Sequence, residues 1–162
     1  YMRLFIAIQL SEDMKRALTA CMNDLKKQGV TGNYVPAQNL HLTLAFIGEY
    51  DEPERVKNVI NSIPLPRLRL KLSEKGKFGD LLWAGIQENQ KLNTYVKDLR
   101  AALKEAGIPY AHDKFIPHIT LIRKSASKET YQVHLRKVEM NVERVVLMKS
   151  ERKNGKMVYR EI

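Results

Sequence analysis

Cysteine is nearly absent from this 162-residue chain. Cys21 is the only one, which excludes an intramolecular disulfide and any metal site built from several thiolates. It falls in a segment of helical pattern and reads as a small core or boundary residue rather than a reactive thiol. No apolar run approaches the roughly 20 residues that a membrane-spanning helix needs. The opening YMRLFIAIQL holds only a short apolar stretch and no small-residue cleavage site, which speaks against a secretory leader; Tyr1 ahead of Met2 is read as non-native and set aside. Phosphate-binding glycine motifs of the G-x-x-x-x-G-K-[ST] or G-x-G-x-x-G type are missing too, so no nucleotide cofactor is expected. The expectation is a cytoplasmic protein, free of membrane, that works as a monomer.

Acidic residues are also in deficit, 18 against 28 Lys and Arg, giving a net charge of +10 and a pI near 9.7. A basic surface concentrates and steers polyanions. Many small basic proteins carry such charge for solubility alone, so it supports an anionic substrate without identifying one.

What is present alternates strands and helices. Leu4–Ile8 (LFIAI) is wholly apolar and suits a buried strand. Ser11 is placed as an N-cap, with Glu12 and Asp13 in the first turn of a helix over 12–28 that carries Met14, Leu18, Cys21, Met22 and Leu25 on one face; Gly29 supplies the stop. A loop with Gly32 and Pro36 leads to a strand, HLTLAFIG. Residues 51–63 read as a shorter helix with Pro53 in its first turn, and RLRLKL (67–72) alternates as a half-buried strand does. LLWAGI (81–86) is a strand, 88–106 an amphipathic helix closed by Gly107, and HITLIRK a further strand. Asn154-Gly155 between VERVVLMKSER and KMVYREI predicts a β-hairpin.

The halves repeat one another. The strand ending at Ile8 precedes His41 by 33 residues, and that ending at Ile86 precedes His118 by 32. Gly29 and Gly107 lie 78 apart, His41 and His118 77 apart. Two related lobes would set the histidines in equivalent positions, facing one another if a pseudo-twofold axis relates the lobes.

Those histidines open the informative motifs, HLTL (41–44) and HITL (118–121). Residues two apart on a strand share a face, so His41 projects with Thr43 and His118 with Thr120, while the intervening leucine and isoleucine enter the core. A single H-x-T would ordinarily be a half-exposed histidine beside a β-favouring threonine. Two copies, equivalently placed, present two imidazoles and two hydroxyls. One neutral imidazole can take a proton from water and one protonated imidazole can give a proton to a leaving oxygen, both near neutral pH. The hydroxyls can bind non-bridging phosphoryl oxygens. This chemistry needs no metal. His112 and His134 lack ligand partners at zinc-site spacing, so no zinc is expected.

The stretches MRLFIAIQL, VPAQNLHLTLAFIGE, LLWAGI and FIPHITLIRK resemble the two-histidine phosphoesterases, and within them the bacterial and archaeal RNA 2′,3′-cyclic phosphodiesterases, formerly called 2′-5′ RNA ligases. The motif positions show no departure; Tyr34 stands where many relatives carry tryptophan, and the C-terminal hairpin carries little signature. The resemblance implies a bilobal α+β fold, with two antiparallel β-sheets lining a central cleft and helices packed outside. The chain is then one domain, 1–162, of two lobes drawn from halves near 2–78 and 79–162, with exchange of terminal segments open. It also implies metal-independent opening of an RNA 2′,3′-cyclic phosphate end to a 2′-phosphate. His41 would be the proton donor to the leaving 3′-oxygen and His118 the proton acceptor from water, roles that the motifs alone do not distinguish. Joining a cyclic end to a 5′-hydroxyl through a 2′-5′ bond would be a side activity without ATP.

Further positions have two readings each. Arg123, five beyond His118, faces away from it in a regular strand, and reaches the substrate phosphate only if a bulge turns it. Lys124 would share the face of His118 if the strand runs that far, and is otherwise an ordinary solvent-exposed lysine. Phe46 is a core residue or a stacking surface for a terminal base, and Phe115, Tyr34 and Tyr110 are weaker stacking candidates. Arg67, Arg69 and Lys71 are a solvated face before they are a track for RNA. Two other functions stay open: a non-catalytic module that binds RNA ends, and the same chemistry on a small cyclic nucleotide or a 2′-5′ oligonucleotide.

Overall fold

A computed structural model describes residues 3–162, the side chains at 74 and 75 excepted; Tyr1 and Met2, and with them the start of MRLFIAI, lie outside the described residues. The elements run β1 (Arg3–Gln9), α1 (Glu12–Lys27), β2 (Thr31–Tyr34), a single 3₁₀ turn (Ala37–Asn39), β3 (His41–Glu49), α2 (Pro53–Ser62), β4 (Leu68–Phe78), β5 (Leu81–Ile86), α3 (Gln90–Glu105), β6 (His118–Ala126), β7 (Glu139–Val142), β8 (Val146–Lys153) and β9 (Lys156–Glu161). All pairings are antiparallel, in one sheet ordered β3-β1-β8-β9 and another ordered β2-β6-β5-β4-β7. The fold is α+β. Each sheet takes strands from both halves of the chain. The first combines β1 and β3 with the late hairpin β8–β9, and the second combines β5, β6 and β7 with β2 and β4.

Burial on both faces explains the uninterrupted apolar run of β1. It lies inside its sheet, with Leu4, Ile6 and Ile8 in the main core and Phe5 and Ala7 in a small cluster on the opposite face with Val146 and Met148. The helices form where their caps and stripes predict. Ser11 Oγ accepts the Met14 N–H at 3.2 Å and Asn89 Oδ1 accepts that of Leu92 at 3.1 Å, caps worth about 1 kcal/mol each. Both long helices stop identically. Gly29 (φ 90°) donates to Lys26 O and Val30 to Leu25 O; Gly107 (φ 73°) donates to Lys104 O and Ile108 to Leu103 O. That left-handed turn is costly for any residue with a Cβ, so the 78-residue repeat of glycine is a repeat of structure. Cys21 is buried in the core, and burial pushes its thiol up to about 11, which makes it inert as a nucleophile near neutral pH.

Three expectations need correction. Residues 31–34, read as loop, form β2 and pair with β6. Glu139–Val142, of which only Val142 is expected in a strand, as the start of the hairpin, forms β7 on the edge beside β4. β4 does not end at Leu72 but continues to Phe78 and hairpins into β5. Its leucines 68, 70 and 72 are buried, while Arg69 and Lys71 pair with Glu139 at 2.8 and 3.0 Å. This basic run is therefore a solvated face. The Asn154-Gly155 hairpin forms as the dipeptide predicts, both residues with positive φ (51° and 76°).

Candidate active site

His41 begins β3 and His118 begins β6, the equivalent strand of the other sheet, and both line one cleft of about 270 Å³. Leu42 and Leu44, like Ile119 and Leu121, anchor their strands in the core. Thr43 and Thr120 share the cleft with the histidines, as do Phe46 and Arg123.

Arg123 reaches the cleft through a bulge. β5 and β6 pair Trp83 with Thr120 but Leu82 with Ile122, leaving Leu121 as an extra residue. The same happens in β3, where Ala7 faces Thr43 and Ile6 faces Ala45, leaving Leu44 extra. Two consecutive residues are thus buried in each strand (Leu44 and Ala45; Leu121 and Ile122) and the alternation changes phase. Phe46 and Arg123, five residues past their histidines, swing onto the imidazole face. Of the two readings of Arg123, the structure therefore has the one in which a bulge turns it towards the cleft. Phe46 is 41% exposed rather than a core residue. Lys124 is a solvent-exposed lysine, the second of its two readings: it has a left-handed backbone (φ 54°) and lies outside the cleft lining.

The imidazoles are held alike. His41 Nδ1–H donates to the carbonyl of Asn39 at 2.7 Å, and His118 Nδ1–H donates to that of Ile116 at 2.6 Å. A carbonyl only accepts, so each ring keeps its proton on Nδ1 when neutral and leaves Nε2 for proton exchange. Nε2 of His41 lies 2.8 Å from Thr43 Oγ1. Aromatic rings fix the planes: Phe5 and Tyr159 lie 4.8 and 5.2 Å from His41, and Phe78 and Trp83 lie 5.3 and 5.6 Å from His118, centroid to centroid. A Cβ on Gly76 would fall 2.0 Å from the Trp83 ring, so glycine there lets the indole lie against the β4 backbone.

Electrostatically the cleft is cationic. Arg3 and Arg123 line it with no carboxylate in ion-pair reach among the described residues. Burial lowers the pKa of His41 below the ordinary imidazole range, the bond to Asn39 opposes this, and the charges of Arg123 and His118 lower it further. His41 therefore gives up a proton readily, and an arriving anion would oppose the loss.

The sequence reading missed Arg3, Phe5, Asn39, Phe78, Trp83 and Tyr159. A signal existed for one pair, since Phe5 and Trp83 occupy matching positions, 78 apart, in the repeated strands. Asn39 is buried and its side-chain amide donates to Met157 O at 3.0 Å, tying the carbonyl that orients His41 to the late hairpin. The weaker stacking candidates stay outside the cleft. Tyr34 donates its hydroxyl to Val30 O, Tyr110 packs on His112, and Phe115 lies in a neighbouring pocket. Among the described residues no three His, Cys, Asp or Glu side chains gather as a metal site, and no helix is long and apolar enough to cross a membrane.

Two sheets that each present an H-x-T strand to a shared basic cleft define a two-histidine phosphoesterase-like architecture. The chain belongs to the 2′-5′ RNA ligase superfamily, whose family description matches residues 17–154. It is 32% identical to an RNA 2′,3′-cyclic phosphodiesterase of Thermus thermophilus, with 98% of this chain and 86% of that protein covered. It is 30% identical to one of Thermotoga maritima, with 75% and 70% covered. Among solved structures, Escherichia coli LigT complexed with 3′-AMP superposes with a TM-score of 0.86 at 26% identity, covering 99% of this chain and 94% of that one.

Proposed function

We propose that the protein hydrolyses RNA 2′,3′-cyclic phosphate ends to 2′-phosphates, without a metal, by two-histidine acid–base catalysis. The observation that carries this reading is the matched pair of imidazoles in one basic cleft, each with Nδ1 engaged by a backbone carbonyl, which leaves Nε2 as the nitrogen that can exchange a proton. Nε2 of His118 takes the proton of the attacking water. As the water oxygen bonds to phosphorus the P–O3′ bond breaks, and protonated His41 gives O3′ its proton. Thr43, Thr120 and Arg123 hold the non-bridging oxygens, whose charge must be matched throughout the transfer. Phe46, exposed beside Arg3 (6.0 Å from guanidinium to ring centroid), supplies a stacking face for the terminal base. The whole cleft is furnished by a single chain, so we take the working unit to be a monomer of one bilobal domain, acting in the cytoplasm.

The test is turnover of a short RNA ending in a 2′,3′-cyclic phosphate, with EDTA present. A 2′-phosphate product, lost in folded His41→Ala and His118→Ala, is expected. A 3′-phosphate product would refute the assignment of the leaving oxygen, and no turnover by the folded protein would refute the substrate class. A smaller cyclic nucleotide run in parallel identifies the same chemistry on a different substrate.

A further inference from the structure

His41 and His118 are equivalent in sequence and in strand position, yet the residues that hold them differ. Each imidazole donates its Nδ1–H to the carbonyl two positions ahead, that of Asn39 in one case and of Ile116 in the other. Ile116 is 40% exposed, and its side chain has no polar atom to tie down. Asn39 is 6% exposed and is the only buried Asn, Gln, Ser, Thr or charged residue among the described ones. An amide left unpaired at such a place costs about 1–3 kcal/mol, so its partner is something the fold has to supply. That partner is the carbonyl of Met157, which accepts the Asn39 side-chain N–H at 3.0 Å.

This bond links the two edges of one sheet. In the order β3-β1-β8-β9, Asn39 ends the turn that leads into one edge strand, and Met157 belongs to the other. The turn also holds the Asn39 backbone, with Asn39 N–H donating to Pro36 O at 2.9 Å and Leu40 N–H to Ala37 O at 3.2 Å. Met157 and Tyr159, two apart on β9, both line the cleft. The Tyr159 ring stands edge-on to His41, at 5.2 Å between centroids and 88° between planes. One side chain therefore fastens together the carbonyl on Nδ1 of His41 and the strand whose ring packs against it. The difference from Ile116 matters most for a proton donor. Charge builds on O3′ only as its bond to phosphorus breaks, so Nε2 must already stand within reach, and a misplacement of about 1 Å costs on the order of 10²-fold.

We propose that Asn39 is a positioning residue for protonation of the leaving group: its side-chain amide, by fastening the turn ahead of β3 to β9, holds Nε2 of His41 where O3′ departs. The inference rests on the proposed role of His41 as the acid. The tether serves the departure of O3′ and not the activation of water at His118, whose own carbonyl partner has no counterpart to it. Two imidazoles that the motifs make alike are thus told apart by the residue two positions ahead of each.

The experiment measures kcat and KM of Asn39→Ala on a cyclic-ended RNA and on its analogue with sulfur at the 3′-bridging position, whose thiolate leaves without a proton. With the oxygen substrate kcat is expected to fall about 10–100-fold and KM to change less than about threefold. With the sulfur substrate kcat is expected to fall less than about threefold. Nitrogen NMR of the imidazoles in the free protein gives a readout that needs no turnover. Neutral His41 should carry its proton on Nδ1 in the wild type and show the Nε2–H tautomer as well in Asn39→Ala, while His118 keeps its own. Asn39→Ser, which retains a donor in a smaller side chain, should fall between the two and is read instead if Asn39→Ala does not fold. Unchanged kinetics, equal losses on both substrates, a defect confined to KM, or an unaltered His41 tautomer in the folded variant overturns the positioning role. Absence of hydrolysis by the folded wild-type protein instead overturns the proposed function on which the inference stands, and the tautomer measurement still decides whether Asn39 holds the ring.

Discussion

Removing the leaving group's need for a proton separates the two histidines. The natural leaving group is a 3′-alkoxide, which needs protonation as the P–O3′ bond breaks. A cyclic substrate with sulfur at the 3′-bridging position expels a thiolate, the conjugate base of a thiol with pKa of about 8.5, and needs no such help. General acid–base catalysis contributes about 10²–10⁴-fold per proton transfer. His41→Ala should therefore cost the oxygen substrate about 10²–10⁴-fold in kcat and the sulfur substrate less than about tenfold. His118→Ala, which removes the base, should cost both substrates about 10²–10⁴-fold. The structure sharpens the expectation, because the Asn39 carbonyl fixes the His41 tautomer and leaves a single nitrogen, Nε2, to deliver the proton. Single-turnover assays with both substrates, on variants shown to be folded by circular dichroism, decide it. Equal defects of His41→Ala on both substrates would refute the acid role, and a His118→Ala defect relieved by the sulfur substrate would exchange the two assignments.

The pH dependence has a definite sign. An acid must be protonated, and burial lowers His41, so kcat/KM should fall above a pKa lying under the ordinary imidazole value of about 6.5. The matching limb of kcat should lie higher, since bound phosphate retains the proton; coincident limbs would contradict this. Arg123→Ala removes a charge-assisted bond worth about 1.5–3 kcal/mol, so kcat/KM should fall by about 10–150-fold, and unchanged kinetics would return Arg123 to the solvent. Gly76→Ala places a Cβ 2.0 Å from the Trp83 ring, displacing the chain's single tryptophan; its fluorescence should shift as kcat drops, and an unaltered spectrum would refute the packing. Because each sheet draws on both halves of the chain, residues 2–78 should not fold alone and the whole chain should unfold in one calorimetric transition. Two resolved transitions would mean separable lobes.

Much of the architecture is written in short-range patterns. Caps at Ser11, stops at Gly29 and Gly107, the apolar run of β1 and the Asn154-Gly155 turn each follow from local chemistry and hold in three dimensions. The H-x-T pairs were legible because strand alternation is local as well. What escaped depends on distant partners. β2 (TGNY) and β7 (EMNV) are four residues long and polar in part, and become strands only because β6 and β4 offer them edges. The bulges at Leu44 and Leu121 leave no mark in composition, since one extra apolar residue in an apolar strand looks like continued burial. Yet they decide that Arg123 and Phe46 enter the cleft. The continuation of β4 through a charged segment to Phe78 escaped for the same reason, and with it one of the rings beside His118.

The exchange of strands between sheets also orders events during synthesis. β1 and β3 emerge early from the ribosome, but β1 stays half-paired until β8 arrives about 140 residues later, and such distant pairing forms slowly. The same late hairpin brings Tyr159 against His41 and accepts the Asn39 amide. A nascent chain thus carries both histidines well before it can hold the first one still, so a partly made protein would leave passing RNA ends untouched.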